Sequence, residues 1–361
     1  VADGVALAHQ LKEEAKVSVA FTGDGGTSEG DFHEALNVAA VWNLPVIFII
    51  ENNGYGLSTP VNEQYRCENL ADRAKGYGMD SVIIDGNNIL TVYDTIKGVR
   101  DYCIREQKPF LVECKTFRMR GHEEASGTKY VPKELFEEWG AKDPIMNYEA
   151  YLMEQGVLSA KQIMEIRQHQ KEEIEKEIQK GFESAPIVVD TAAELADVYA
   201  QKPATTATLP SSVNRQLSPD KRLIDAIKEG LHQSMQQHPN LVLMGQDIAE
   251  YGGAFKITEG FVEEFGKARV RNTPLCESAI VGAALGLSLE GFKSMMEMQF
   301  ADLVTVGFNQ IINNLAKIHY RWGQAADVVI RMPTGAGVGA GPFHSQSNEA
   351  WFVHTPGLKV V

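Results

Sequence analysis

Positive charge is in short supply in this sequence: 34 Lys and Arg face 48 Asp and Glu, for a formal charge of -14 at pH 7. Such a balance disfavours a surface that attracts nucleic acid or anionic lipid by bulk electrostatics, while leaving room for a local basic pocket around one phosphate group. Cysteine is equally sparse. Cys67, Cys103, Cys114 and Cys276 are scattered, without the close pairs of a zinc site or the density of a disulfide scaffold, which fits a reduced, cytoplasmic chain. No apolar run approaches the roughly 20 residues that span a bilayer, and the first residues lack the charged-then-apolar pattern of a secretory signal. A soluble protein without nucleic-acid or membrane partners is expected.

What is present suits a globular α/β protein. At 361 residues and 44% hydrophobic content, the chain is long enough for two cores. Apolar runs of strand length, Val17 to Phe21, Pro45 to Ile50, Ser81 to Ile84 and Pro109 to Val112, alternate with stretches of helical spacing. Continuous hydrophobicity predicts strands covered on both faces, hence mainly parallel sheets between helices. From Ser159 the pattern becomes a long amphipathic helix: Ser159 and Gln162 form a capping box, Ile163, Ile166, Ile174 and Ile178 form a stripe, and Gly181 supplies a stop. Residues 201–216, rich in Pro, Thr and Ser, read as a linker between a domain over 1–200 and another over 217–361. In the second half the spacing predicts helices from about Ser218 to Gln237, after Glu277 and from about Asp302 to Arg321, with strands at Leu241 to Met244, Lys293 to Met296 and Asp327 to Arg331. The chain starts without Met inside a helical pattern and stops at Leu358-Lys359-Val360-Val361, a strand-like beginning. A segment of a longer protein is therefore expected, with the C-terminal part of the second domain missing.

The first two apolar runs end in unusual chemistry. Val17 to Thr22 leads into Gly23-Asp24-Gly25-Gly26, and Pro45 to Ile50 leads into Glu51-Asn52-Asn53. If the stretch from Glu29 to Trp42 is the crossover helix, the two strand ends can lie side by side, and ligands gather beyond such carboxyl ends. A carboxylate, an amide oxygen and a turn carbonyl make a hard oxygen site suited to Mg²⁺, which completes its octahedron with phosphate and water. The ordinary alternative has Asp24 capping a helix and Asn53-Gly54 forming a plain turn. A nicotinamide dinucleotide reading fails because the glycines do not follow the GxGxxG spacing.

The GDG motif followed by NN resembles the thiamine diphosphate motif of the thiamine-dependent 2-oxo acid dehydrogenases. That resemblance implies Asp24, the Asn53 side chain and the Tyr55 carbonyl as Mg²⁺ ligands, with Gly23, Gly25 and Gly26 letting the backbone approach the diphosphate. In the second half, "NTPLCESAIVGAALGLSLEG" contains Glu277 before an uncharged run; read alone, Glu277 is equally a carboxylate favoured by a helix N-terminus. The stretch resembles the beta subunit of the decarboxylating component, where the Glu of TPxxE contacts the cofactor's aminopyrimidine nitrogen. The resemblance continues through "EMQFADLVTVGFNQIINNLAKIHYR" and "GAGPFHSQSNEAWFVHTPGLKVV". It places His344 near the reacting carbonyl, His122 near diphosphate and substrate, and Leu303 where an aromatic residue often stands beside the aminopyrimidine. Arg118 and Arg120 could neutralise phosphate or substrate carboxylate, or be solvated charges.

An alpha-like half followed by a beta-like half implies a fused first component of a 2-oxo acid dehydrogenase complex. The wording NTPLCE with HSQSNEA is closest to the branched-chain enzymes. The implied reaction is oxidative decarboxylation of a 2-oxo acid and transfer of the acyl group to lipoamide of an acyltransferase component. The Gly/Ala-rich stretch after Glu277, together with the dimeric relatives, implies at least a homodimer. A pyruvate or acetoin dehydrogenase first component, a transketolase-like enzyme and a non-catalytic assembly module remain alternatives.

Overall fold

The computed structural model describes residues 1–123, 125, 127–200 and 220–361. The expected linker at 201–216 lies outside the described residues.

In the first half, helix α1 (Ala2–Leu11) precedes β1 (Ser18–Gly23), helix α2 (Gly30–Trp42) and β2 (Val46–Asn52). A two-stranded antiparallel ribbon follows, β3 (Tyr55–Gly56) with β4 (Thr59–Pro60), and then β5 (Asp80–Asp85) and β6 (Phe110–Lys115). The four longer strands form an all-parallel sheet in the order β1-β2-β6-β5. Alternate residues of β2 serve two cores, as the pleat requires. Phe48 and Ile50 face a core containing Leu36, Leu44 and Leu111, while Ile47 and Ile49 join Val99, Cys103 and Val112 under the helix Ile89–Glu106. At the sheet edge, Val19 and Phe21 of β1 stay exposed.

The second half repeats the scheme with β7 (Leu241–Gly245), β8 (Val270–Asn272), β9 (Lys293–Glu297) and β10 (Val328–Arg331), parallel in the order β10-β9-β7-β8. Between β8 and β9 runs the helix Glu277–Leu289, which is buried along nearly its whole length. A helix apolar on every side must be covered on every side. Here β9 covers it from its own half and α1 from the other, so that one core holds Leu7, Leu36, Val242, Ile280, Ala284 and Met296 together. The close crossing depends on glycine: a Cβ on Gly4 would stand 2.0 Å from the Ala283 carbonyl oxygen.

The expected long helix is present, and three other expectations need correction. The long helix forms over Ala160–Glu183 with the capping box at Ser159 and Gln162, but only Ile163 of its stripe is buried and Ile166, Ile174 and Ile178 face outward. The stretch from Asp302 to Arg321 is not one helix. It divides into a 3₁₀ turn Ala301–Thr305, a π-helical segment Gln310–Leu315 and a short α-helix Ile318–Trp322. Gly307 sits at the break, where a Cβ would come within 3.1 Å of the Glu277 carbonyl oxygen, so local packing overrides the helical spacing. Finally, Leu358–Val361 is not a strand, and the helix expected from about Ser218 begins at Leu223. Among the described residues no helix is long and apolar enough to cross a membrane.

Candidate active site

β1 and β2 pair in parallel with Gly23 opposite Glu51, which sets the GDG turn beside the asparagine turn. The two loops touch. A Cβ on Gly25 would lie 2.8 Å from the Gly56 Cα, so only glycine permits this approach. Asp24 is 1% exposed, and its side chain does not cap the 3₁₀ turn Gly25–Ser28, which removes the simple capping role for it. Its Oδ2 is buried without a hydrogen-bond partner. Burial pushes the Asp24 carboxyl above its ordinary range, against the pull of the nearby backbone N–H groups of Asp24 and Gly25, the charge of Arg118 and the Asn53 backbone. A buried, unpartnered carboxylate oxygen is costly unless a cation or proton meets it.

The second strand end is built around two asparagines with different jobs. Asn53 Oδ1 accepts from the Tyr55 N–H at 3.1 Å, and Asn52 Oδ1 accepts from the Gly54 N–H at 3.2 Å; Gly54, at φ +85°, makes the bend. The Asn52 amide donates to the Tyr65 hydroxyl at 3.0 Å and to Glu113 Oε1 at 2.7 Å. Beside this turn opens a cavity of about 560 Å³ whose walls include Asn53, Tyr55, Tyr65, Arg66, Lys115 and Trp139. Arg118 reaches the same loop: its guanidinium donates to the Leu57 carbonyl at 2.6 Å and to the Tyr130 hydroxyl at 2.8 Å. His122 is exposed, with Nδ1 3.5 Å from Arg118 Nη1, and Arg120, also exposed, accepts from Arg118 Nε through its carbonyl at 3.1 Å.

A second group of residues gathers at the β7 and β9 ends. Glu277, 8% exposed, begins the buried helix and accepts from Gln246 Nε2 at 3.0 Å, while Gln246 Oε1 is buried without a partner. His344 is exposed and packs edge-on against Phe300 with ring centroids 4.9 Å apart. Leu303, half-buried, donates its N–H to the Phe300 carbonyl at 3.1 Å, and Gln346 ties the His344 loop to Asp302 at 2.8 Å. Leu303 and His344 therefore share one neighbourhood through Phe300.

The start of the Glu277 helix is tied to the first half through α2, which starts six residues after Asp24. The Ser278 hydroxyl donates to Asp31 Oδ1 at 2.5 Å, the Ala279 N–H donates to Glu34 Oε2 at 2.9 Å, and Gln310 Nε2 donates to Asp31 Oδ2 at 2.5 Å. Burial pushes the Glu34 carboxyl up, the Ala279 N–H pulls it down, and the charges of Asp31 and Glu277 raise it further. Sequence reasoning missed Asn52, Glu113, Gln246, Asp31 and Glu34. For Glu113 a signal existed: one carboxylate inside the otherwise apolar run "FLVEC".

Residues 1–188 match the family model described as dehydrogenase E1 component. The chain belongs to that family. Residues 221–361 match the transketolase pyrimidine-binding domain. Among curated relatives, the alpha subunit of acetoin:2,6-dichlorophenolindophenol oxidoreductase from Bacillus subtilis (strain 168) is 40% identical over 200 residues, 55% of this chain and 59% of the relative. The 2-oxoisovalerate dehydrogenase alpha subunit of the same organism is 41% identical over 157 residues, 43% of this chain and 48% of the relative. Its pyruvate dehydrogenase E1 alpha subunit is 38% identical over 180 residues, 49% of this chain and 48% of the relative. The chain spans about half the length of the curated relatives it matches. All three matches are to alpha subunits, and none covers two thirds of this E1-family chain.

Proposed function

We propose that this chain is an alpha/beta-fused, thiamine diphosphate-dependent first component of a 2-oxo acid dehydrogenase complex, acting on a branched-chain 2-oxo acid. The observation that carries the reading is the buried, unpartnered Asp24 Oδ2 beside the Asn53–Tyr55 turn. The residues fit a hard cation: Asp24 offers a carboxylate oxygen, Asn53 an amide oxygen and Tyr55 a carbonyl, which is a donor set for Mg²⁺. Among the described residues no group of three or more His, Cys, Asp or Glu side chains is arranged to hold a metal ion, so a cation held here would draw on amide, carbonyl and diphosphate oxygens.

Thiamine diphosphate, when bound, supplies a nucleophilic carbon that adds to the 2-oxo group and takes up the electrons released as carbon dioxide leaves. The remaining tasks fall to the chain. Gly23 borders open space at the end of β1 where a diphosphate would lie, and Gly25 and Gly26 let the turn close against Gly56 and Thr22 beside it. Gln246 holds one oxygen of Glu277, which leaves the other to hold a proton against an aminopyrimidine nitrogen in a confined site. His122 and His344 are positioned on loops where a proton can be held or moved at substrate oxygens, Arg118 adds positive charge near Asp24, and Leu303 gives an apolar contact to the pyrimidine.

On this reading residues 1–200 form the diphosphate and metal domain, 217–361 the pyrimidine domain, and 201–216 the linker. The acyl group passes to the lipoyl arm of an acyltransferase component, and the working unit is a cytoplasmic homodimer. The relatives' names support a 2-oxo acid or acetoin as substrate class, and the wording around Cys276 and Ser345 favours the branched chain. Single-turnover assays of the intact protein with 2-oxoisovalerate, pyruvate and acetoin test the reading. Fastest carbon dioxide release from 2-oxoisovalerate supports it; decarboxylation of neither 2-oxo acid overturns it.

A further inference from the structure

Glu113 is the least expected charge in the molecule. It lies in the middle of β6, a central strand, opposite Ile50 of β2 and Ile83 of β5, and it is 0% exposed. A carboxylate buried at that depth is tolerated only when hydrogen bonds replace water around it. Here they do. Oε1 accepts from the Asn52 amide at 2.7 Å and from Lys115 Nζ at 2.5 Å, and Oε2 accepts from the Ala71 N–H at 2.8 Å.

The sheet register explains the meeting. Asn52 is opposite Lys115, two residues beyond the Ile50–Glu113 pair, and residues two apart share a face. Asn52 and Lys115 therefore project on the side where Glu113 sits, and the 3₁₀ segment Leu70–Tyr77 covers that face and supplies Ala71. Three different donors converge on an acceptor-only group. Nothing about a sheet interior demands this, since an apolar residue at position 113 would match the buried Val112 and Cys114 on either side.

We propose that Glu113 is a positioning residue for the metal-binding turn and acts through Asn52. Because Glu113 only accepts, the Asn52 side chain must turn its amide nitrogen inward. Its carbonyl oxygen then points outward and receives the Gly54 N–H at 3.2 Å. That bond fixes the left-handed bend at Gly54, and the bend sets Asn53 Oδ1 and the Tyr55 backbone beside Asp24. Tyr65 holds the same amide from the opposite side at 3.0 Å. The orientation of Asn52 is thus set by the acceptor oxygens of a residue 61 positions later in the chain.

The inference rests on the cofactor reading only for its binding consequence, so two measurements are paired on the full chain. Glu113→Gln keeps the volume but places a donor where only donors already point, so the Asn52 side chain loses its fixed orientation. Expected are at least about tenfold faster hydrogen exchange at the Gly54 and Tyr55 amides, with the sheet amides of β2 unchanged, and roughly 10–100-fold weaker Mg²⁺-dependent binding of thiamine diphosphate by calorimetry, the usual cost of losing an outer partner of a metal ligand. The double variant N52D/E113Q restores the 52–113 pair, with the new amide at position 113 donating to the new carboxylate at position 52 and its carbonyl accepting from the Ala71 N–H, while Lys115 must turn from position 113 to the carboxylate opposite it; both readouts are expected to recover to within about threefold of the parent. Unchanged Gly54 exchange in folded Glu113→Gln, or failure of the folded double variant to recover it, overturns the proposal. Absence of binding in the parent chain alongside the expected exchange pattern refutes the cofactor reading and leaves the positioning role supported.

Discussion

The Ser278 hydroxyl donates to Asp31 Oδ1 at 2.5 Å, joining the first turn of the buried helix in one half to the first turn of α2 in the other. One turn further along α2, Glu34 accepts from the Ala279 N–H. The first N–H groups of an α-helix have no partner within it, and the cap of the Glu277 helix is here supplied by the opposite half. Replacing Glu34 by Ala removes that acceptor and leaves a buried donor. Urea unfolding is expected to show a loss of about 1–2 kcal/mol, the range of a deleted helix cap, with both halves unfolding earlier together because they share one core.

Asp24 predicts a pH dependence with a definite sign. Burial raises its folded-state pKa above the ordinary 3.8. The folded chain therefore holds this proton longer than the unfolded chain does, and the contribution of Asp24 to stability falls as pH rises from about 4 through the folded value. In Asp24→Asn that contribution disappears. Thermal melts of the metal-free variant should decline less steeply over this window than those of the parent, while Mg²⁺-dependent thiamine diphosphate binding should weaken by more than about 100-fold, beyond the cost of an outer partner. A variant that melts along the parent's pH profile contradicts the assignment of this group as the strained carboxylate.

Gly25 is a steric prediction. Its missing Cβ is what lets the GDG turn meet Gly56, at 2.8 Å from the built position. Backbone cannot retreat as a flexible side chain does, so Gly25→Ala should cost about 1–3 kcal/mol, as overpacking does. The damage should also appear as weaker cofactor binding, because the two turns must separate. Gly30→Ala meets no atom within 4 Å and serves as the control.

For Glu277 the expected effect is on rate. Glu277→Gln keeps the contact to Gln246 within reach but removes the acid. Single-turnover decarboxylation should slow by about 10²–10⁴, the usual share of a positioned proton-transfer group. Affinity for the cofactor should change far less than the rate. A comparable loss in both would make Glu277 a binding residue instead.

Seven of the eight strands in the two four-stranded sheets were legible from apolar runs, most plainly where burial on two faces makes the run continuous, as in Pro45 to Ile50 and Leu241 to Met244. β8 was not, because an edge strand reading Val270-Arg271-Asn272 carries one apolar residue, and the Tyr55–Pro60 ribbon is too short to show a period. The Asp302–Arg321 stretch misled because helical spacing does not record the close approach at Gly307. Within the candidate site, the side-by-side placing of the Asp24 and Asn53 turns could be read from motif spacing. The Asn52–Glu113 pair could not, since it depends on the lateral register of β2 against β6. The stripe of the long helix was correctly seen as apolar, yet spacing does not say what covers Ile166, Ile174 and Ile178.

The central claim is that Asp24, from the half ending near residue 200, and Glu277, from the half after it, serve one cofactor held through a divalent ion. Isothermal titration of the chain with thiamine diphosphate, with Mg²⁺ and with the metal chelated, addresses it most directly. The account predicts saturable binding only with Mg²⁺, abolished by Asp24→Asn and retained by Glu277→Gln. Binding of equal strength without a divalent ion, or no binding in either condition, would contradict it.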